Sequence, residues 1–88
     1  MASYRILIKA SAAREIEAAP KNDRLRIVRR IQALSSEPRP PGCEKLTGQD
    51  KYRVRQGQYR IVYSISEVEL TVLVVKVGHR RDVYRHDT

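Results

Sequence analysis

The chain has no tryptophan and no phenylalanine, one cysteine, two histidines, and only 10 acidic residues against 18 lysines and arginines. Each shortage excludes something. Cys43 is alone, so neither an internal disulfide nor a cysteine metal cage can form. A reducing cytoplasm is the compartment that fits. His79 and His86 have no metal-ligand company at useful spacing, and no metal or cofactor is expected. The longest apolar run, residues 70–75 with Thr71 inside it, has the length and β-branching of a strand and cannot span a bilayer. The N-terminal Met1-Ala2-Ser3-Tyr4 carries no apolar signal-peptide core. No helix joins a basic face to a bulky aromatic one, which makes a membrane surface a poor partner. The shortage of acid leaves a net charge of +8 on 88 residues. That excess favours a polyanionic partner: nucleic acid, a nucleoprotein particle or an acidic protein. A chain of this length makes a single domain, residues 1–88.

What is present is ordered. Residues 4–9 read as a first strand, buried on at least part of both faces. Ser11 is a plausible N-cap, with Glu15 nearby, for a short helix over residues 12–19 that Pro20 stops. Asn22 or Asp23 can cap a second helix. In it Ile27, Val28, Ile31 and Leu34 form one apolar stripe, and Arg24, Arg26, Arg29 and Arg30 occupy the other side. The serines and prolines of residues 35–42 make a connector.

The next segment permits a sharper inference. Tyr52 and Val54 alternate with Arg53 and Arg55; Tyr59, Ile61 and Tyr63 alternate with Arg60 and Val62. A two-residue turn at Gln56-Gly57 would set residue 55 opposite 58, 54 opposite 59 and 53 opposite 60. All five apolar or aromatic residues then share one face, and Arg53, Arg55 and Arg60 share the other. An odd loop would break this, because a one-residue slip flips a whole strand. Glycine at the second turn position suits a type I′ turn. Residues 70–77 form a third strand, apolar on both faces as a central strand is, and Gly78 ends it. The expected fold is α+β: two N-terminal helices packed on one face of a small four-stranded, mainly antiparallel sheet, then a short C-terminal helix or turn. The arginine face is left as a cleft.

Lys45-Leu46-x-Gly48, Tyr52-Arg53-Val54-Arg55, Gly57-x-Tyr59-Arg60-Ile61-Val62-Tyr63, Val77-Gly78-His79-Arg80 and Asp82-Val83-Tyr84 together resemble the RelE/ParE superfamily of toxins from toxin–antitoxin pairs. The resemblance covers nearly the whole chain, and the two halves of the pattern are specific in combination. It implies the RelE-like microbial ribonuclease fold and a cytoplasmic toxin held silent by a cognate, acidic RelB-like antitoxin in a hetero-oligomer. The RelE branch implies a metal-independent endoribonuclease that cuts mRNA in the A site of the 70S ribosome. There the 2′-hydroxyl attacks the adjacent phosphate, giving a 2′,3′-cyclic phosphate and a new 5′-hydroxyl. Carried over by position, the basic pair is Arg53 and Arg55, the transition-state arginine is Arg60, the arginine after the last strand is Arg80, and the C-terminal tyrosine is Tyr84. Lys45, Arg81 and Arg85 are candidate RNA contacts. The ParE branch implies an alternative, a non-enzymatic inhibitor of DNA gyrase. An inactive binding relic is a third option.

The chemistry narrows these roles. Relatives often carry lysine at the first basic pair. Arginine stays protonated, so neither Arg53 nor Arg55 serves as a general base. Tyr84 and His79 are the candidates for that task. Each has a structural reading beside it: Tyr84 as a residue packing the C-terminal segment, His79 as a hydrogen-bonding or stacking group. Arginines suit neutralisation of a crowded phosphorane, because they bind phosphate oxygens in a planar fork. One such arginine contributes roughly 10³–10⁵ in rate and an acid or base roughly 10²–10⁴. Arg53 or Arg55 can instead track RNA backbone or the acidic antitoxin. Arg60, on an open sheet face, is expected to be replaceable with little effect on stability.

Overall fold

The computed structural model describes residues 3–80. Seven elements follow in order: β1 (Arg5–Ile8), α1 (Ala10–Ala18), α2 (Lys21–Ala33), β2 (Glu44–Lys45), β3 (Tyr52–Gln56), β4 (Tyr59–Ser66) and β5 (Thr71–His79). The strands form one five-stranded sheet in the order β1-β5-β4-β3-β2. β1 runs parallel to β5, and every other pairing is antiparallel. The α+β class stands, but the sheet has five strands where the sequence suggested four. The extra one, β2, is two residues long and too short to show alternation. The expected C-terminal helix or turn falls on residues 81–88, outside the described residues. No helix among the described residues is long and apolar enough to cross a membrane.

Both helices cover the same face of the sheet. Ala12, Ile16 and Ala19 from α1 and its end, with Ile27, Ile31 and Leu34 from α2, meet Val54, Ile61, Tyr63, Val72, Val74 and Val77 in one core. The N-caps differ from the expected ones. α1 begins after Lys9 and α2 after Pro20, neither with a side-chain cap bond. Proline suits this position because its missing N–H is one that a helix start leaves unpaired anyway. Asp23 in the first turn of α2 and Arg30 in the last complement the helix dipole. Tyr63 is the largest fully buried side chain, and its hydroxyl donates to the Pro38 carbonyl at 2.7 Å. This bond fixes the proline-rich connector over the end of the core.

β1 is more exposed than the sequence suggested: Leu7 and Ile8 are 46% and 40% accessible. It is an edge strand, paired only to residues 71–74 of β5. Beyond that point the edge of β5 is met by α1, where Glu15 accepts from the Val77 N–H at 2.8 Å and pairs with the Lys76 ammonium at 3.0 Å. β5 continues through Gly78 to His79 and does not stop before it. A bulge at Val75 resets its alternation against β4, with Val62 opposite Lys76 but Tyr63 opposite Val74. The bulge lets Val72, Val74 and Val77 all reach the core, although their spacing breaks period two.

Candidate functional site

The hairpin of β3 and β4 sets the face on which each basic residue stands. Its turn is two residues long, as the alternation requires, but it lies at Gly57-Gln58 and not at Gln56-Gly57. Gly57 has φ +59°, and the sole non-glycine residue with positive φ among those described is Leu70. A left-handed glycine at the first turn position alone is the signature of type II′, not type I′. Sliding the turn by one residue preserves parity. Tyr52, Val54, Tyr59, Ile61 and Tyr63 therefore still share the helix-covered face, and Arg53, Arg55 and Arg60 still share the open one.

On the open face Arg55 stands directly opposite Arg60. Arg53 stands opposite Glu44 of β2, and its guanidinium bonds that carboxylate at 2.9 Å. This bond holds the Glu44 carboxyl below the usual glutamate range, with the fields of Arg53, Arg55 and Arg60 acting in the same direction. Like charges directly opposite one another destabilise a sheet. An anion bound between Arg55 and Arg60 would offset that repulsion.

Arg55, Gly57, Gln58, Tyr59, Arg60 and Arg80 line a hollow of about 190 Å³ at the hairpin end. The Arg80 N–H donates to the Gln58 carbonyl at 2.7 Å, which ties the end of β5 to the turn. Opposite Arg60 on β5 is Gly78, which has no side chain to compete for space. Arg60 is only 6% exposed. This corrects the expectation of an open-face residue with little bearing on stability. Arg55 and Arg80 are exposed. Among the described residues the hollow thus has one buried guanidinium with two accessible ones beside it and no carboxylate in its lining, an arrangement suited to holding a phosphate.

Other expected site residues lie elsewhere. Arg53 is on the arginine face but engaged by Glu44, away from the hollow. His79 stands opposite Tyr59, their rings edge to face with centroids 5.3 Å apart. That pairing puts the imidazole on the helix-covered side, in a separate hollow of about 240 Å³ lined by Glu15, Ala19, Tyr59 and Lys76 among others. Lys45 stands opposite Tyr52, also on the face away from Arg53, and lines a hollow with Gly48, Gln49 and Asp50. Arg81, Tyr84 and Arg85 lie outside the described residues. Sequence reasoning missed Glu44, the Gln58 carbonyl and the gap at Gly78. Only the register of β2 and the bulge in β5 reveal them. Among the described residues no three His, Cys, Asp or Glu side chains converge to hold a metal ion.

Residues 6–84 match the family described as the ParE toxin of type II toxin–antitoxin systems, parDE. The chain is 30% identical over 86 residues to Toxin RelG of Mycobacterium tuberculosis, a match covering 93% of this chain and 97% of that protein. Its fold is similar to a chain of the toxin–antitoxin complex RelBE2 of Mycobacterium tuberculosis (TM-score 0.80, 26% identity, 89% of this chain and 99% of that one). It is equally similar to a chain of the archaeal RelE–RelB complex of Pyrococcus horikoshii (TM-score 0.80, 28% identity, 89% and 96%).

Proposed function

The chain belongs to the ParE toxin family of type II toxin–antitoxin systems, within the RelE/ParE superfamily, and from that premise we propose that it is an endoribonuclease that cleaves mRNA in the ribosomal A site. The observation that carries this reading is the hollow that gathers Arg55, Arg60 and Arg80 at the hairpin end. The scissile phosphate sits in that hollow. Its 2′-hydroxyl attacks phosphorus, the bond to the 5′-oxygen breaks, and the products are a 2′,3′-cyclic phosphate and a 5′-hydroxyl. Arg60 neutralises the charge that builds on the non-bridging oxygens, with Arg55 and Arg80 holding the flanking backbone. Arg53 aligns the row through Glu44. Arginine cannot accept the 2′-proton, and His79 is on the other side of the sheet. The base role therefore falls to Tyr84, and the proton returns to the leaving 5′-oxygen. Arg81 and Arg85 extend the grip on RNA. Lys45, on the far face, has no part in this reading. The reaction needs no metal.

The solved relatives RelBE2 and the archaeal RelE–RelB are toxin–antitoxin complexes, which supports a RelB-like antitoxin for this chain. Its acidic segment covers the arginine face and keeps the toxin silent in the cytoplasm. A second reading keeps one observation in its favour, the ParE description of the matching family. Under it the chain inhibits DNA gyrase without chemistry. Primer extension on cellular mRNA after brief induction separates the two. Cuts within translated codons support the nuclease. Intact mRNA with loss of gyrase supercoiling supports the inhibitor.

A further inference from the structure

β5 is held unevenly along its length. Its pairing with β1 ends at Val74, whose carbonyl accepts from the Lys9 N–H at 2.9 Å, and the chain then turns into α1 at Ala10. Among the described residues, the stretch from Lys76 to His79 has β4 as its sole strand partner. This half-supported end carries two parts of the hollow. Gly78 faces Arg60 across the ladder, and Arg80 follows two residues on and lines the hollow. A glycine inside a strand has no side chain to pack and weakens it. The direction in which Arg80 leaves the sheet therefore depends on bonds to its neighbours. One lies on the inner edge, where the Arg80 N–H reaches the Gln58 carbonyl at 2.7 Å. Another lies on the outer edge, where a side chain of α1 stands in for the missing strand. Glu15 borders the stripe of Ala12, Ile16 and Ala19 that faces the core. Its Oε1 accepts the Val77 N–H at 2.8 Å, and its Oε2 pairs with the Lys76 ammonium at 3.0 Å. Val77 is buried, so its N–H depends on this acceptor. The carboxylate takes the place of a strand carbonyl, and the lysine beside it compensates its charge.

We infer that Glu15 is a positioning residue for the arginine hollow: its bond to the Val77 N–H fixes the end of β5 and so sets where Arg80 meets a phosphate. The inference rests on the phosphate-holding role given to the hollow above and adds to it a residue from the helix layer. Glu15 does not touch the substrate. It lines the other hollow, and Tyr59 is common to both. The sign of the effect separates this role from a field effect. Removing a carboxylate makes the chain more cationic, which by itself would tighten its hold on a phosphate chain. Losing the clamp lets Arg80 wander and weakens that hold. A misplacement of about 1 Å can cost on the order of 10²-fold in rate, so a small shift of the strand end is enough.

The test uses the whole chain and a single-stranded 2′-deoxy oligonucleotide that cannot be cut, so that binding is read without cleavage. The parent is compared with Glu15→Ala, Glu15→Gln, Arg80→Gln and the double variant Glu15→Ala/Arg80→Gln, at a temperature where each is folded. Glu15→Ala should bind at least about fivefold more weakly, and the same change in the Arg80→Gln background should cost less than about twofold, because the residue through which it acts is gone. Glu15→Gln keeps an acceptor for the Val77 N–H and should bind within about twofold of the parent. Exchange of the Val77 amide should be faster in Glu15→Ala and near the parent rate in Glu15→Gln. If Glu15→Ala does not fold, Glu15→Asp, which keeps the charge but falls one methylene short of the N–H, takes its place in the cycle with the same expectations. Unchanged or tighter binding in Glu15→Ala overturns the inference. So does an equal loss in both backgrounds, which is what a general loosening of the fold would give. A loss in Glu15→Gln as large as in Glu15→Ala also overturns it, since the charge and not the bond would then be responsible. If Arg80→Gln binds like the parent, the phosphate-holding role of the hollow fails and the inference falls with it. If Arg80→Gln weakens binding and Glu15→Ala does not, that role stands and only the clamp is lost.

Discussion

Replacing Arg60 with glutamine takes one guanidinium out of the hollow and leaves a shorter hydrogen-bonding head. An arginine that neutralises a transferring phosphoryl group contributes about 10³–10⁵ in rate, or about 4–7 kcal/mol at 1.36 kcal/mol per tenfold. Stability is pulled two ways. Arg60 stands opposite Arg55, and guanidiniums on the order of 7 Å apart repel by about 0.6–2.4 kcal/mol as the effective dielectric constant falls from about 80 to 20. Removing one charge relieves this. Against it, Arg60 is 6% exposed, and a shortened buried side chain loses packing of about 0.8 kcal/mol per methylene. The loss at a buried position should outweigh the relief, and the melting temperature should fall by up to about 10 °C with the protein still folded. Single-turnover cleavage of mRNA in programmed ribosomes, measured well below the melting point, should fall by at least about 10³-fold. A folded Arg60→Gln protein that cleaves within tenfold of the parent would refute the assignment of Arg60 to the transition state.

Tyr84→Phe should lower single-turnover cleavage at least about tenfold, while His79→Gln, on the other side of the sheet, should cost little; the reverse order would move the base to His79. Arg80→Ala should be more damaging to cleavage than Arg81→Ala, and equal loss would show that the hollow does not choose between them. Tyr63→Phe leaves the buried Pro38 carbonyl without its donor and should destabilise the fold by about 1–3 kcal/mol, read by denaturant unfolding, with cleavage by the folded fraction unchanged. Glu44 should titrate below the ordinary glutamate value of 4.5. Its contact with Arg53 then adds stability above that value and loses it as the pH falls through the depressed one. In Arg53→Ala the Glu44 midpoint should rise, and an NMR titration in which it stays low would contradict the pairing.

The alternation in Tyr52, Val54, Tyr59, Ile61 and Tyr63 was enough to place three arginines on one sheet face. It depends only on the loop being even, and so it survived a turn that lies one residue later than expected. The turn's position was not legible, because glycine is acceptable at either central position and the two choices differ only in turn type. β2 was hidden because two residues carry no period. The bulge at Val75 was hidden because a strand apolar on both faces gives no sign of where its alternation resets. The side on which His79 stands follows from its pairing with Tyr59 at the strand's end, a register that the bulge shifts. The burial of Arg60 was not legible either, because alternation assigns a side chain to a face and does not say how far that face is covered.

Under the proposed function, the arginine hollow cleaves message held in the ribosome. The most direct test of this adds the purified chain to 70S ribosomes programmed with a defined mRNA in the presence of a metal chelator that leaves the ribosomes intact, and analyses the ends of the fragments. We expect cuts within the A-site codon bearing a 2′,3′-cyclic phosphate and a 5′-hydroxyl, poor cutting of the same RNA free in solution, and loss of the cuts in Arg60→Gln. Intact mRNA, together with inhibition of purified gyrase at the same concentration of the chain, would contradict it.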